Sequence, residues 1–204
     1  MNRLVVYTLI VFFVPLTTVS AAYKIVTIDK TGVFNITGGV GFYLPTLNWV
    51  KDAFRSGASF NAGAGIGVSG NIGLFGNIEY TRLRSTEILD SAYGGGKLRL
   101  WSGRGGVRFT AIVAGEKTPF AEVALGVSRL SIFGPVGSVN RYLWYLDMRG
   151  GYEFFMDKNM SIDLSAGFIY YLQNPGLGGL NLPVVDGERR AAIIPLRMSF
   201  NFYL

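Results

Sequence analysis

The 204-residue sequence contains neither cysteine nor histidine. Without cysteine, the chain has no disulfide framework and no thiolate metal site. Without histidine, it lacks the usual general base of acyl-transferring and hydrolytic enzymes. A mechanism that uses carboxylates alone stays open, but no motif supports one. We therefore expect a protein that is not an enzyme, with no catalytic residue, no cofactor and no metal.

Charge is also scarce, and long apolar helices are missing from the body of the chain. Charged residues make up 16% of the sequence and hydrophobic residues 50%, which is rich in apolar residues for a soluble protein. The 28 glycines are scattered without a period. Glycine spread in this way disfavours helices and suits strands that bend or pack closely. The length allows one domain.

The N-terminal 22 residues have the pattern of a signal peptide. Arg3 supplies a positive start, Leu4 to Leu16 form a short apolar core, and Val19 to Ala22 offer small residues for cleavage. The apolar core is shorter than the roughly 20 residues that a membrane-spanning helix needs. We therefore expect residues 1–22 to be removed on export. Residues 23–32 then form a periplasmic arm or an extension of the first strand.

From Val33 onward, apolar residues recur with a period of two, which is typical of β-strands. Met160, Ile162 and Leu164 share one face, for example, and Ser161 and Asp163 share the other. The pattern predicts an all-β antiparallel barrel of about eight strands over residues 33–204. The predicted strands are Val33–Leu44, Ala58–Ser69, Asn71–Leu83, Lys97–Val113, Pro119–Leu130, Arg141–Phe155, Met160–Leu172 and Arg190–Leu204.

One predicted strand breaks its own alternation. Leu98 and Leu100 stand at even positions and Val107 and Phe109 at odd ones, so regular alternation would put the two pairs on opposite faces. A β-bulge at Gly105-Gly106 would restore a common apolar face.

Three features favour a membrane barrel over a soluble sandwich or lipocalin. The apolar face is bulky and the other face is small, polar or charged, which suits lipid outside and a lumen inside. Aromatic residues gather near the strand ends, as at membrane interfaces, and Tyr43 and Tyr171 are among those expected at the interface near the long loops. The connections alternate in length, as in outer-membrane barrels with short periplasmic turns. The short links are Gly70, Ala114–Thr118 and Met156–Asn159, and the long ones are Pro45–Gly57, Arg84–Gly96, Ser131–Asn140 and Gln173–Arg189.

Over Val33 to Leu204, the chain resembles the small outer-membrane barrels typified by the OmpA transmembrane domain, OmpX and OmpW. Met198, Phe200 and Phe202 match the alternating last strand of those families, although Leu204 stands where a terminal aromatic is usual. The resemblance implies a bacterial outer-membrane protein, with outer-membrane lipid and lipopolysaccharide as partners and the barrel-assembly machinery as a partner during biogenesis.

Gly65, Gly67 and Gly70 match the dinucleotide-binding pattern G-x-G-x-x-G. That mechanism needs a helix whose N-terminus faces the pyrophosphate. The residues that follow, Ile72, Leu74 and Ile78, have the period of a strand instead. The glycines are better explained by a tight turn and a closely packed wall.

The phase of the strands places eight charged residues on the inward face, with a net charge of −2. We expect them to form an interior salt-bridge network, because charges in a low-dielectric lumen persist only when paired. Arg149 or Arg108 should bridge the neighbouring carboxylates Glu153 and Asp163. The alternative is a path for cations or protons. The low layer is Arg108, Glu122, Glu153 and Asp163, and the middle layer is Glu79, Asp147, Arg149 and Arg197.

Basic residues also gather near the long loops, where the sequence has ten basic residues and five acidic ones. A basic rim around a membrane protein does not form the stripe that nucleic acid needs, so nucleic acid is not expected as a partner. Contact with lipopolysaccharide phosphates is one explanation, and a merely solvated loop surface is the other. The ten are Lys51, Arg55, Arg82, Arg84, Lys97, Arg99, Arg129, Arg141, Arg189 and Arg190, of which Arg82, Arg84, Lys97, Arg141, Arg189 and Arg190 are the candidate lipopolysaccharide contacts.

These observations favour a non-enzymatic outer-membrane barrel with an envelope-structural or surface-contact role and a lumen closed by salt bridges. The alternative is a narrow channel for small or hydrophobic solutes, as the resemblance to OmpW implies. No motif in the loops identifies an extracellular partner.

Overall fold

The computed structural model describes residues 30–47, 54–86, 97–111, 117–134, 137–173 and 192–204. The expected signal peptide, residues 1–22, and residues 23–29 lie outside these ranges. The strands are β1 (Phe34–Leu47), β2 (Phe54–Ser69), β3 (Ile72–Ser85), β4 (Lys97–Thr110), β5 (Lys117–Gly134), β6 (Gly137–Phe155), β7 (Met160–Tyr171) and β8 (Ala192–Tyr203).

The eight strands pair in sequence order, each antiparallel to the next, and β8 pairs with β1 to close the barrel. The closing pair runs from Asn35 opposite Tyr203 to Leu47 opposite Ala192. The predicted all-β, up-and-down barrel is confirmed, and each of the eight predicted strands corresponds to one in the structure.

No helix among the described residues is long and apolar enough to cross a membrane.

The barrel wall has an apolar outside and a largely polar inside. Phe60 and Ile78 are each 61% exposed and Leu125 is 57% exposed on the outer surface. Ser59 and Glu79, on the inner surface of the same strands, are buried. A soluble barrel would bury its large apolar side chains, since their contact with water is unfavourable. The outer wall is therefore suited to lipid.

The prediction of a β-bulge at Gly105-Gly106 is wrong. Gly105 lies opposite Gly76 and Leu125, and β4 pairs with both neighbours without a shift in register. Leu98 and Leu100 point into the barrel, where each is only 1% exposed. The prediction failed because it assigned every apolar residue of β4 to the lipid face, whereas the loop end of the lumen is itself apolar.

The prediction of a long loop over Ser131–Asn140 is also wrong. β5 and β6 pair continuously up to Gly134 opposite Gly137, so that only residues 135 and 136 connect them. Two connections at that end do remain long, over residues 86–96 and 172–191. The strands extend beyond the residues that show the apolar alternation. Backbone pairing continues outside the lipid, where alternate side chains need not be apolar.

Candidate functional site in the barrel lumen

All eight charged residues expected in the lumen face it. Each lies on the inward phase of its strand, and seven of them are buried. Arg108, near the turn end of β4, is the one that is half-buried. The buried residues are Glu79, Glu122, Asp147, Arg149, Glu153, Asp163 and Arg197.

The layer nearest the turns is organised around Arg108. Its Nη1 atom lies 2.7 Å from Oδ2 of Asp163, and its Nη2 atom lies 3.3 Å from Oε2 of Glu153. Its Nη1 atom also lies 3.6 Å from Oε1 of Glu122. Arg108 is therefore one of the two arginines that the sequence offered as a bridge between Glu153 and Asp163.

The middle layer is organised around Arg149 and Arg197. Nη2 of Arg149 lies 2.7 Å from Oδ2 of Asp147 and 3.7 Å from Oε2 of Glu79. Arg197 donates to the same Glu79 carboxylate. Each carboxylate of this layer thus has an arginine partner, as a buried charge requires.

Arg104 joins the two layers, although it is not one of the eight charged residues predicted to face the lumen. Its Nη1 atom lies 3.1 Å from Oδ2 of Asp147, and its Nη2 atom lies 3.3 Å from Oε2 of Glu122. A bulge at Gly105-Gly106 would place Arg104 on the outer face with Leu98 and Leu100, so the bulge prediction excludes it from the lumen. Unbroken alternation back from Arg108, four residues along the same strand, would have placed it inside.

Lys30, which precedes β1, adds a fifth cation to the charged residues of the lumen, at its turn end. Its ammonium donates to Oε2 of Glu153 at 2.6 Å and to the Tyr203 hydroxyl at 3.1 Å. It also lies 4.9 Å from the centroid of the Phe155 ring. Burial lowers the pKa of the Lys30 ammonium from its ordinary value, and the Glu153 carboxylate offsets part of that effect.

Residues 30–33 lie against β2 at the turn end of the barrel and form a short strap. The Gly32 amide donates to the Gly67 carbonyl at 2.8 Å, and the Gly67 amide donates to the Val33 carbonyl at 3.0 Å. Gly32 has a φ of 75°, which favours glycine. A Cβ atom at position 67 would overlap the Lys30 carbonyl. Glycine at 67 is therefore needed for the strap to dock, which gives a physical role to part of the glycine motif.

With Arg104 and Lys30, the charges inside the barrel balance. Five cations face five carboxylates among the described residues, so the charge of −2 expected from the sequence is corrected to zero. We call this set the lumen network. It comprises Lys30, Arg104, Arg108, Arg149, Arg197, Glu79, Glu122, Asp147, Glu153 and Asp163.

Above the lumen network, toward the long loops, the lumen is lined mainly by apolar and tyrosine side chains, with Thr81 and Ser128 also buried on the inward face. Tyr145 and Tyr171 lie with ring centroids 5.9 Å apart and are each 3% exposed. This corrects the expectation that the whole inner face is small or polar, and it places Tyr43 and Tyr171 inside rather than at the interface. We call this set the apolar plug. It comprises Tyr43, Leu83, Leu98, Leu100, Leu130, Leu143, Tyr145, Ile169, Tyr171 and Ile193.

Below the middle layer, a cavity of about 80 Å³ lies toward the turns. Asn61, Asn77 and Ser199 contribute to its polar walls, together with Arg104 and Arg108 of the lumen network. A space of this size and polarity suits a few water molecules.

The candidate rim residues separate into two groups. Arg82, Arg84 and Lys97 are exposed on the outer wall of β3 and β4. Arg141 is exposed too, but it lies opposite the inward-facing Leu130 and thus at the mouth of the barrel. Arg189 and Arg190 lie outside the described residues.

The architecture defines the class of protein. A closed, eight-stranded antiparallel barrel with an apolar exterior and a charged lumen is the construction of bacterial outer-membrane proteins. The chain is a small outer-membrane β-barrel, located in the bacterial outer membrane.

Comparison with solved structures finds the same fold. Neisserial surface protein A (NspA) matches with a TM-score of 0.63 and 13% identity, covering 84% of this chain and 98% of that one. Ail, the attachment invasion locus protein of Yersinia pestis, matches with a TM-score of 0.53 and 14% identity, covering 85% and 99%. OprG of Pseudomonas aeruginosa matches with a TM-score of 0.53 and 11% identity, covering 86% and 97%. No family model and no curated protein matches the sequence.

Proposed function

We propose that this protein is a non-enzymatic barrel with a closed lumen, and that its role is envelope-structural or surface contact. The observation that carries the proposal is the stacking of two obstructions along the lumen. The charge-balanced lumen network lies in the half toward the turns, and the apolar plug lies above it.

The lumen network resists opening because its members are bound to one another. Arg108 contacts three carboxylates and Arg104 contacts two. Removing one partner from a buried ion pair leaves an uncompensated charge and costs about 3–5 kcal/mol. A permeating ion would have to displace several such contacts in succession.

The apolar plug opposes the channel alternative independently. Leu98, Leu100 and Leu130 are each 1% exposed, which supports a lumen without a continuous water column at this level. Ions need a continuous polar path, and apolar constrictions block conduction by excluding water. The cavity near the turns is small and ends below this obstruction.

Surface contact is favoured by the names of two proteins with this fold. NspA is named a surface protein and Ail an attachment invasion locus protein. The absence of histidine argues against the acyl-transfer and hydrolytic chemistry that barrel enzymes perform.

Planar-bilayer recording of the refolded protein tests the closed lumen. We expect no stable single-channel steps, while a general porin added to the same bilayer gives them. Heat-dependent migration on a detergent gel shows that the sample is folded. Stable steps from the folded protein alone would favour the channel and overturn the proposal.

A hydrophobic solute would not register as current, so it needs its own assay. Liposomes containing the protein should take up an apolar fluorescent dye no faster than liposomes containing heat-unfolded protein. Faster uptake, abolished by unfolding, would support the alternative of a channel for hydrophobic solutes.

A further inference from the structure

Six basic side chains are exposed together on one part of the outer wall, at the end of the barrel that carries the long loops. They belong to four consecutive strands, β2 to β5. We call this set the basic face. It comprises Arg55, Arg82, Arg84, Lys97, Arg99 and Arg129.

Strand register brings these charges close together. Arg84 lies directly opposite both Arg55 and Lys97, and Arg82 lies directly opposite Arg99. Adjacent strands are about 4.8 Å apart, so the basic face is roughly 15 Å across. Like charges placed directly opposite each other on one sheet face are destabilising. The arrangement therefore favours a bound anion.

For Arg82, Arg84 and Lys97, the described residues supply no such anion. Every carboxylate within the described strands faces the lumen, and Asp157 lies in a turn at the opposite end. Arg99 stacks on the Phe133 ring with 4.9 Å between the guanidinium carbon and the ring centroid. In the part of the chain that the structure describes, Arg82, Arg84 and Lys97 form no ion pair.

The basic face is one-sided. On the other four strands, β6, β7, β8 and β1, no described outward-facing residue is lysine or arginine. Those walls present residues such as Phe42, Trp144 and Leu196. Among the described residues, the outward-facing positive charge at this end therefore lies on one side of the barrel wall.

The depth of the basic face identifies its partner. An aromatic row lies directly beneath Arg82 and Arg99: Tyr80 and Trp101 are paired across β3 and β4, with ring centroids 4.9 Å apart. Aromatic rings of this kind lie at the membrane–water interface, so the basic residues stand at the level of lipid head groups. At the end with long loops, that leaflet is the outer one.

We propose that the basic face binds the phosphate groups of lipopolysaccharide, and that β2 to β5 form the side of the barrel on which lipopolysaccharide is held. Arginine presents a planar pair of donors that matches a phosphate, and Arg82 and Arg99 offer two such groups side by side. The binding rests on the position of the barrel in the membrane and does not depend on a closed lumen. A conducting barrel could bind lipopolysaccharide equally well.

Native mass spectrometry of the refolded protein in detergent, titrated with diphosphoryl lipid A, tests the proposal. The wild type should bind it at least about tenfold more tightly than dephosphorylated lipid A, since each charge-assisted contact contributes about this factor. Arg82→Gln/Arg99→Gln should lose that preference. Equal binding of the two lipid A forms by the wild type would overturn the proposal.

A matched control is Lys117→Gln/Lys158→Gln, which removes two charges at the turn end and should keep the preference. If Arg82→Gln/Arg99→Gln does not fold, Arg84→Gln/Lys97→Gln removes the neighbouring opposed pair and should give the same loss. Retained preference in a folded basic-face variant would contradict the proposal. Phosphatidylglycerol that binds as tightly as lipid A would show a general anionic-lipid surface and contradict the assignment to lipopolysaccharide.

Discussion

Arg104 and Asp147 face each other inside the barrel from strands that are not neighbours, with Nη1 of the arginine 3.1 Å from Oδ2 of the carboxylate. The same guanidinium reaches Glu122 on the strand between them. This one side chain connects the middle layer of the lumen network to the layer near the turns. The lumen network is therefore one continuous set of ion pairs rather than two separate rings.

Replacing Arg104 with methionine should strongly destabilise the barrel. Glu122 and Asp147 would each lose one arginine partner while staying buried and would each keep one other, so the cost should approach but not exceed the about 3–5 kcal/mol of an uncompensated buried charge. Urea-induced unfolding in liposomes free of lipopolysaccharide, followed by migration on a detergent gel, measures the change. Arg129→Met, on the exposed outer wall of β5, is the matched control and should change stability little. Equal effects of the two substitutions would contradict the connecting role of Arg104.

Gly67→Ala should release the strap formed by residues 30–33. The added Cβ would overlap the Lys30 carbonyl, so the hydrogen bonds between the Gly32 amide and position 67 and between the position 67 amide and Val33 should break. Amide hydrogen exchange measured by NMR should then show faster exchange at residues 32 and 67. Gly73→Ala is the control, because its Cβ would approach only the Ile66 carbonyl, at 3.4 Å. Unchanged protection at residues 32 and 67 would show that the strap does not depend on Gly67.

Gly126→Ala should destabilise the apolar plug. Its Cβ would overlap the Tyr145 ring and come within 2.7 Å of the Gly103 carbonyl. Overpacking of this kind costs about 1–3 kcal/mol. Gly103→Ala, where a Cβ would meet nothing within 4 Å, should be tolerated in the same unfolding assay. If both variants unfold at the wild-type urea concentration, Tyr145 does not pack as tightly as the structure indicates.

Trp101 should report the membrane interface. In a variant that keeps only this one of the three tryptophans, a lipid quencher near the head group should reduce fluorescence more than a quencher near the end of the acyl chain. Leu125→Trp in a background without the native tryptophans provides the comparison, since Leu125 is 57% exposed farther along the outer wall. Its fluorescence should respond more to the deeper quencher. The opposite order at Trp101 would move the aromatic row, and with it the basic face, away from the head groups.

Much of this protein is determined by local pattern in the sequence. Side chains alternate strictly across a strand, and lipid on one side demands bulky apolar residues, so the number of strands and their phase can be read directly. Phase also places Glu79, Asp147 and Arg197 in the lumen without any knowledge of their partners.

Tertiary structure decided what fills the lumen and how it is linked. Leu98 and Leu100 are apolar yet face inward, because the barrel closes around an apolar plug at its loop end. Arg104 and Lys30 become members of the lumen network through partners distant in sequence, Asp147 and Glu153. Alternation tells which side of the wall a residue takes, but it carries no information about which residues meet across a closed barrel. That depends on the register and closure of all eight strands.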